Sequence, residues 1–205
     1  MSTRFLAGGT MSDEGRRTAR ERILDTAAEL FYREGIRAVG IDTIIARSGV
    51  AKMSLYRNFA SKDELICAWL EDTEAKFWAW WQGVVARHPG DPRAQLKALF
   101  AALGKWSAHP KFRGCPFINT TVEFRDTDHP GRAIAERHAR AMRDHLRDLA
   151  VQATAREPEA LAEHLLLLMQ GAYAGGRMLG PDVAARAIPA AAAALIDAAC
   201  GQDAR

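Results

Sequence analysis

The stretch that decides the reading is Ile41-Asp42-Thr43-Ile44-Ile45-Ala46-Arg47-Ser48-Gly49-Val50-Ala51-Lys52-Met53-Ser54-Leu55-Tyr56-Arg57-Asn58-Phe59-Ala60-Ser61-Lys62-Asp63-Glu64-Leu65. Two short segments, 42–47 and 51–58, flank the triplet Ser48-Gly49-Val50. Two short helices joined by a glycine-containing turn make a helix-turn-helix pattern, and Gly49 can take the positive φ such a turn requires. Ile44, Ile45, Val50 and Leu55 are spaced to pack its inside, and Asp42 or Thr43 can cap its first helix. The second helix then exposes Lys52, Met53, Ser54, Tyr56, Arg57 and Asn58. Cations, hydroxyls and an amide in that arrangement suit phosphates and base edges. A plain helical hairpin with a solvated charged face fits the same spacing.

Outward from this segment the period stays helical. Upstream, Ile23, Ala27, Leu30 and Phe31 recur at i, i+4, i+7 and i+8 and form one face of a helix over 18–34, which Gly35 stops. Downstream, Ser61 with Glu64 three residues later fits a capping box that opens a long helix ending near residue 87. Its stripe is Ile66, Trp69, Leu70, Thr73, Phe77, Trp80, Trp81 and Val84, with Trp78 off it, toward solvent or a partner. Further helices fit 93–108, 117–124, 132–155, 158–179 and 183–200, separated by breaks such as His88-Pro89-Gly90-Asp91-Pro92 and Gly180-Pro181. About nine helices and no sustained period-2 alternation place the chain in the all-α class.

The composition narrows the setting. Three cysteines in 205 residues exclude a disulfide scaffold and point to a reducing, cytoplasmic compartment. Residues 1–15 read as a flexible tail without the apolar core of a targeting signal. No stretch of about 18 uncharged apolar residues is present, so no membrane span is expected. Asn119-Thr120-Thr121 matches a glycosylation sequon that lacks a secretory context. Net charge is +3, but residues 1–62 hold 11 Lys+Arg against 7 Asp+Glu, and the remainder is nearly neutral. Lys52, Arg57 and Lys62 account for part of that excess. Arg16, Arg17, Arg20 and Arg22 lie before or on the first helix, within reach of phosphates.

The quoted stretch resembles the DNA-binding domain of TetR-family transcriptional regulators, and the helix before Gly35 looks like that family's first helix. The resemblance covers residues 18–65 closely; chain length and the all-helical remainder are similar to the family more loosely. It implies a flexible tail over 1–15, a DNA-binding domain over 16–62 and a ligand-binding and dimerisation domain over 63–205. It further implies a homodimer on double-stranded operator DNA, released by a small effector. Carried onto this sequence, Thr43 holds a phosphate at the start of its helix. Ala51, Lys52, Met53 and Ser54 face the groove or its edge. Tyr56 and Arg57 contact phosphates or bases, and Lys62 holds a backbone phosphate. Asn58 keeps a polar contact where the family often has histidine. Met53 stands where a small residue is usual, and can meet a thymine methyl instead.

For the effector, Trp69 and Trp80 of the aromatic stripe are pocket candidates beside a plain packing role. The segment Arg113-Gly114-Cys115-Pro116-Phe117-Ile118-Asn119 resembles a Gly-Cys-x-x-x-Asn stretch in the ligand domain of some family members. Cys115, beside Arg113 and ahead of a helix start, is either a sensor thiol with a lowered pKa or a small buried hydrophobe. Phe117 belongs to the same segment, and Asn119 and Glu123 share a helical face that can offer polar contacts. His138 and Met142 share a face with His145; no third ligand accompanies the two histidines, so no metal is expected. Gln170 and Tyr173 are polar handles in an apolar helix. The runs around Leu165–Met169 and 183–200, with Gly171, Ala172, Ala174 and Gly175, suit a dimer interface of two C-terminal helices per subunit. No cofactor is expected. An all-α enzyme is the alternative from another class, but no di-iron, zincin, P-loop or dinucleotide signature is present. A protein-binding helical module leaves the clustering of Lys52, Tyr56 and Arg57 without a reason.

Overall fold

The computed structural model describes residues 17–125, 128–178 and 180–201. The expected tail and Arg16 lie outside them. Among the described residues there are nine helices and no strand: α1 Ala19–Glu34, α2 Ile41–Ser48, α3 Lys52–Asn58, α4 Lys62–Val85, α5 Pro92–Ser107, α6 Pro116–Glu123, α7 Pro130–Gln152, α8 Pro158–Met178 and α9 Pro181–Cys200. By contact the chain divides into two compact units, one holding the described residues up to Phe77 together with Pro116–Glu136, the other Trp78–Cys115 and the residues from Arg137 onward. These bounds differ from a division at residues 62 and 63, because α6 and the start of α7 pack with the N-terminal helices.

In the first unit the helix starts follow local chemistry. Thr18 and Glu21 form a reciprocal capping box: the Glu21 amide donates to Thr18 Oγ1 at 3.2 Å, and the Thr18 amide donates to the Glu21 carboxylate at 2.7 Å. At α4 the Glu64 amide donates to Ser61 Oγ at 3.1 Å, while the Glu64 carboxylate reaches one residue further back, to the Ala60 amide at 2.7 Å. The expected cap of α2 by Asp42 or Thr43 does not form. Gly40 in extended conformation is the N-cap and has no side chain to offer, so α2 begins at Ile41 and both residues lie in its first turn. Gly49 closes α2 in the left-handed conformation (φ 63, ψ 27), as the turn requires. The core is continuous across the three short helices and α4: Ile23, Leu30, Ile44, Leu55, Leu65 and Leu70 are each at most 1% exposed. The Phe31 and Trp69 rings meet edge to face at 5.4 Å.

In the second unit α5, α8 and α9 pack on one another around Leu96, Leu99, Phe100, Leu165, Ala192 and Ile196. Gly104 of α5 makes this possible: a Cβ there would lie 3.1 Å from Pro189 Cδ and 3.3 Å from the Ala185 carbonyl oxygen of α9. The last helix starts earlier than read, at Pro181, and carries Pro189 in its interior. Its C-terminal carbonyls are bonded by arginines: Arg156 donates to Ala198 O at 2.6 Å, and Arg93 donates to Cys200 O. By length and mean hydropathy (1.5) α9 matches a membrane span, unlike the expectation from uncharged runs. One side of it packs on α5 and α8, and Asp197 pairs with Lys97 of α5.

Candidate nucleic-acid interface

Helix α3 presents one face and buries the other. Leu55 is fully buried, whereas Met53 and Tyr56 are 70% and 43% exposed, and Ala51, Lys52 and Arg57 are exposed with them. Thr43 is exposed as the third residue of α2, in its first turn. Lys52 lies 3.5 Å from Asp42, a loose and solvated pair that a phosphate can displace. Ser54 and Asn58 are half-buried. The Asn58 amide is turned back on its own helix, donating to Ser54 O at 2.7 Å, so it is less available to a base edge than its position in the sequence implies.

Lys62 is not presented as expected. Its ammonium donates to Ile36 O at 2.7 Å, tying the start of α4 to the loop between α1 and α2. Partial burial lowers its pKa, while the nearby Glu123 and Asp63 carboxylates offset part of that shift. Glu123 is also placed otherwise than expected. At the end of α6, its carboxylate accepts from the Ile36 amide at 3.0 Å and from the Arg37 amide at 2.7 Å. A pocket contact is thereby replaced by a clip between α6 and the α1–α2 loop. The clip is reinforced on both sides. The Arg37 guanidinium lies 5.4 Å from the Phe124 ring centroid, and His129 stacks on Phe124 at 3.9 Å with Nε2 3.4 Å from Asp63 Oδ1. The partners in these bonds are 86 and 87 residues apart in sequence, so no local pattern announces them.

The remaining effector candidates divide between the units. Trp69, Phe117 and Asn119 fall in the first, where Trp69 is 3% exposed and packs on Phe31. Trp80, Cys115, His138, Met142, Gln170 and Tyr173 fall in the second. Trp80 is half-buried rather than on the buried stripe. Trp78, read as lying off that stripe, is half-buried, meets Trp81 edge on at 5.7 Å, and lies against His138 at 5.6 Å and His145 at 4.5 Å. Tyr173 stacks on Phe112 at 6.1 Å, and Phe112 in turn meets Trp106, an aromatic row the sequence reading did not assemble. Cys115 is buried just ahead of α6, and Arg113 beside it donates to the carbonyls of Pro110 and Phe112 at 2.8 and 2.9 Å.

Comparison with known proteins agrees with this architecture along most of the chain. Residues 23–68 match the model for bacterial regulatory proteins of the tetR family, and residues 92–192 match a tetracyclin repressor-like C-terminal domain. The crystal structure of SCO4454, a TetR-family transcriptional regulator from Streptomyces coelicolor, superposes with a TM-score of 0.85 at 31% identity, covering 89% of this chain and 96% of that one. The chain belongs to the TetR family. A TetR-type regulator of Streptomyces avermitilis, sav143, superposes at 0.80 with 30% identity over 91% of this TetR-family chain and all of its own. The HTH-type transcriptional repressor KstR2 of Rhodococcus jostii is 37% identical over 97 residues, 45% of this chain and 44% of KstR2. The matched segments span about half the length of these curated relatives. The family and these relatives are regulators of transcription, not enzymes.

Proposed function

We propose that this TetR-family protein is an operator-binding repressor that works in the cytoplasm as a homodimer and leaves DNA when a small, largely apolar or aromatic effector binds. The observation that carries this reading is α3: Lys52, Met53, Tyr56 and Arg57 stand exposed on a helix whose opposite side, through Leu55, is fully buried behind the Gly49 turn. Such a helix enters a major groove, and two of them about 34 Å apart read two half-sites. Thr43, Ala51, Ser54 and Asn58 complete the contact set. The description of KstR2 as a repressor supports the sign of the regulation.

Dimerisation through α8 and α9 accounts for Leu167 and Met178, 65% and 82% exposed on α8, and for the exposed alanines of α9. Trp80, Cys115, His138, Met142, Gln170 and Tyr173, all of the second unit, are the proposed effector contacts, a few polar groups among apolar ones. Burial of Cys115 favours packing over reactivity, so alkylation of the purified protein is expected to leave operator binding unchanged. The test of the function is fluorescence anisotropy with DNA from upstream of the protein's own or neighbouring gene. Sequence-preferring binding that weakens steeply with salt supports it. An intact dimer with no sequence preference at low salt refutes it.

A further inference from the structure

We infer that Met53 is a reversible oxidation site through which a peroxide-class oxidant keeps the protein off its operator; this rests on the DNA-binding reading above. The sulfur atoms of the chain are unevenly protected. There are three cysteines and six methionines, of which Met1 and Met11 lie outside the described residues. Cys115 and Cys200 are buried. Cys67 is half-buried on α4, and burial first, then the carboxylates of Glu71, Asp63 and Glu64, raises its thiol pKa. The thiolate is the reactive form, so those surroundings slow oxidation at Cys67. Met142 and Met169 are 4% and 1% exposed, inside the core. Among the described residues the exposed thioethers are Met53 and Met178, at 70% and 82%. Met178 lies on the α8 surface assigned above to the partner subunit. In the dimer Met53 is therefore the most accessible of the described sulfur atoms.

Its position gives the modification a readout. Met53 stands on the exposed side of α3, next to Lys52 and one turn before Arg57. Leu55 holds the opposite side and is fully buried, so a change at Met53 alters the DNA-facing surface and spares the packing of the helix. With hydrogen peroxide, the sulfur lone pair attacks one peroxide oxygen: the S–O bond forms, the O–O bond breaks, and the other oxygen leaves as water. The thioether gives up two electrons, the peroxide takes them, and the product is methionine sulfoxide, which reductases return to the thioether. A flexible apolar side chain thereby becomes a polar one that carries an acceptor oxygen. A thymine methyl offers that oxygen nothing, and the acceptors on the base edges and phosphates repel it. Bound operator covers the same sulfur, so oxidation acts on protein that has left DNA and prevents its return.

The experiment treats the full-length protein with hydrogen peroxide, locates the added oxygen by peptide mass spectrometry and measures operator anisotropy on the same sample. The expected result is oxygen on Met53 ahead of Met142 and Met169, an unchanged melting temperature, and operator affinity lower by about fivefold or more, the scale of one lost base contact. Methionine sulfoxide reductases for both epimers are expected to restore that affinity. Protein saturated with operator before treatment should gain oxygen at Met53 more slowly. Met53→Leu removes the sulfur; its affinity is read as the ratio of treated to untreated protein, and peroxide is expected to leave that ratio unchanged. Should this variant fail to fold or to bind, recovery of the parent by the reductases makes the same comparison. Oxygen on Met53 with unchanged operator affinity overturns the inference and leaves the regulator reading intact. So does a Met53 that gains no oxygen, or a loss of affinity that the reductases do not reverse or that Met53→Leu shares. Absence of operator binding by the untreated protein overturns both.

Discussion

At the scale of single residues, two side chains separate recognition from architecture. Arg57 is exposed on α3 with no structural task among the described contacts. Arg57→Ala is expected to weaken operator binding by about 1–3 kcal/mol, roughly 5- to 150-fold, with an unchanged melting temperature. Glu123 is the reverse case. Glu123→Ala leaves the Ile36 and Arg37 amides without their acceptor, and a loss of about 1–3 kcal/mol is expected in urea unfolding. Glu21 adds a pH dependence. Bonds from the Thr18 backbone and hydroxyl hold its carboxyl below the usual range. Its pKa is lower folded than unfolded, so its contribution is complete above the unfolded value and fades as pH falls through the folded one. The stability gap between the parent and Glu21→Gln should therefore narrow on acidification toward pH 3. The exposed α3 residues were legible in sequence because helical spacing puts Met53 and Arg57 opposite Leu55 and Tyr56 beside that face. The roles of Glu123 and Lys62 were not, because their partners are backbone groups of the distant Ile36–Arg37 loop, invisible to any local pattern.

At the scale of elements, the buried stripes were readable and the starts less so. Ile23, Ala27, Leu30 and Phe31 are all buried on α1, as their spacing requires, and Ile134, Met142, Leu146 and Leu149 are all buried on α7. The start of α2 was misread because a Gly40 N-cap carries no side-chain signal. The true length of α9 was obscured by Pro189, which sits inside the helix facing Gly104. That contact gives a test of the α5–α9 packing: Gly104→Leu must displace Pro189 and the Ala185 carbonyl, and a cost of about 1–3 kcal/mol or more is expected in thermal unfolding. The exposed flank of α8 carries a different expectation. Leu167 does not contribute to the buried core of a single chain, so Leu167→Asp should leave secondary structure intact while converting the dimer to monomer in sedimentation. Operator affinity should fall with it, since two half-sites are then no longer read together.

At the scale of the whole molecule, the uneven charge marks a division of work. The N-terminal excess of cations falls on α3, through Lys52 and Arg57, and on Arg17, Arg37 and Lys62, and the nearly neutral remainder carries the aromatic and apolar surfaces proposed for effector and partner. The effector set was the least legible feature, because pocket residues are gathered by tertiary packing from helices far apart in sequence. Trp69 looked like a pocket residue by its position on a stripe, yet it packs on Phe31. The central claim is sequence-specific DNA binding through α3, and the most direct test is a salt series of operator anisotropy comparing the parent protein with Arg57→Ala on operator and scrambled duplexes. The account predicts preference for the operator by the parent, a steep loss of affinity with salt, and a collapse of that preference in Arg57→Ala with the dimer retained. Equal affinity for operator and scrambled DNA by the intact parent dimer at low salt would contradict it.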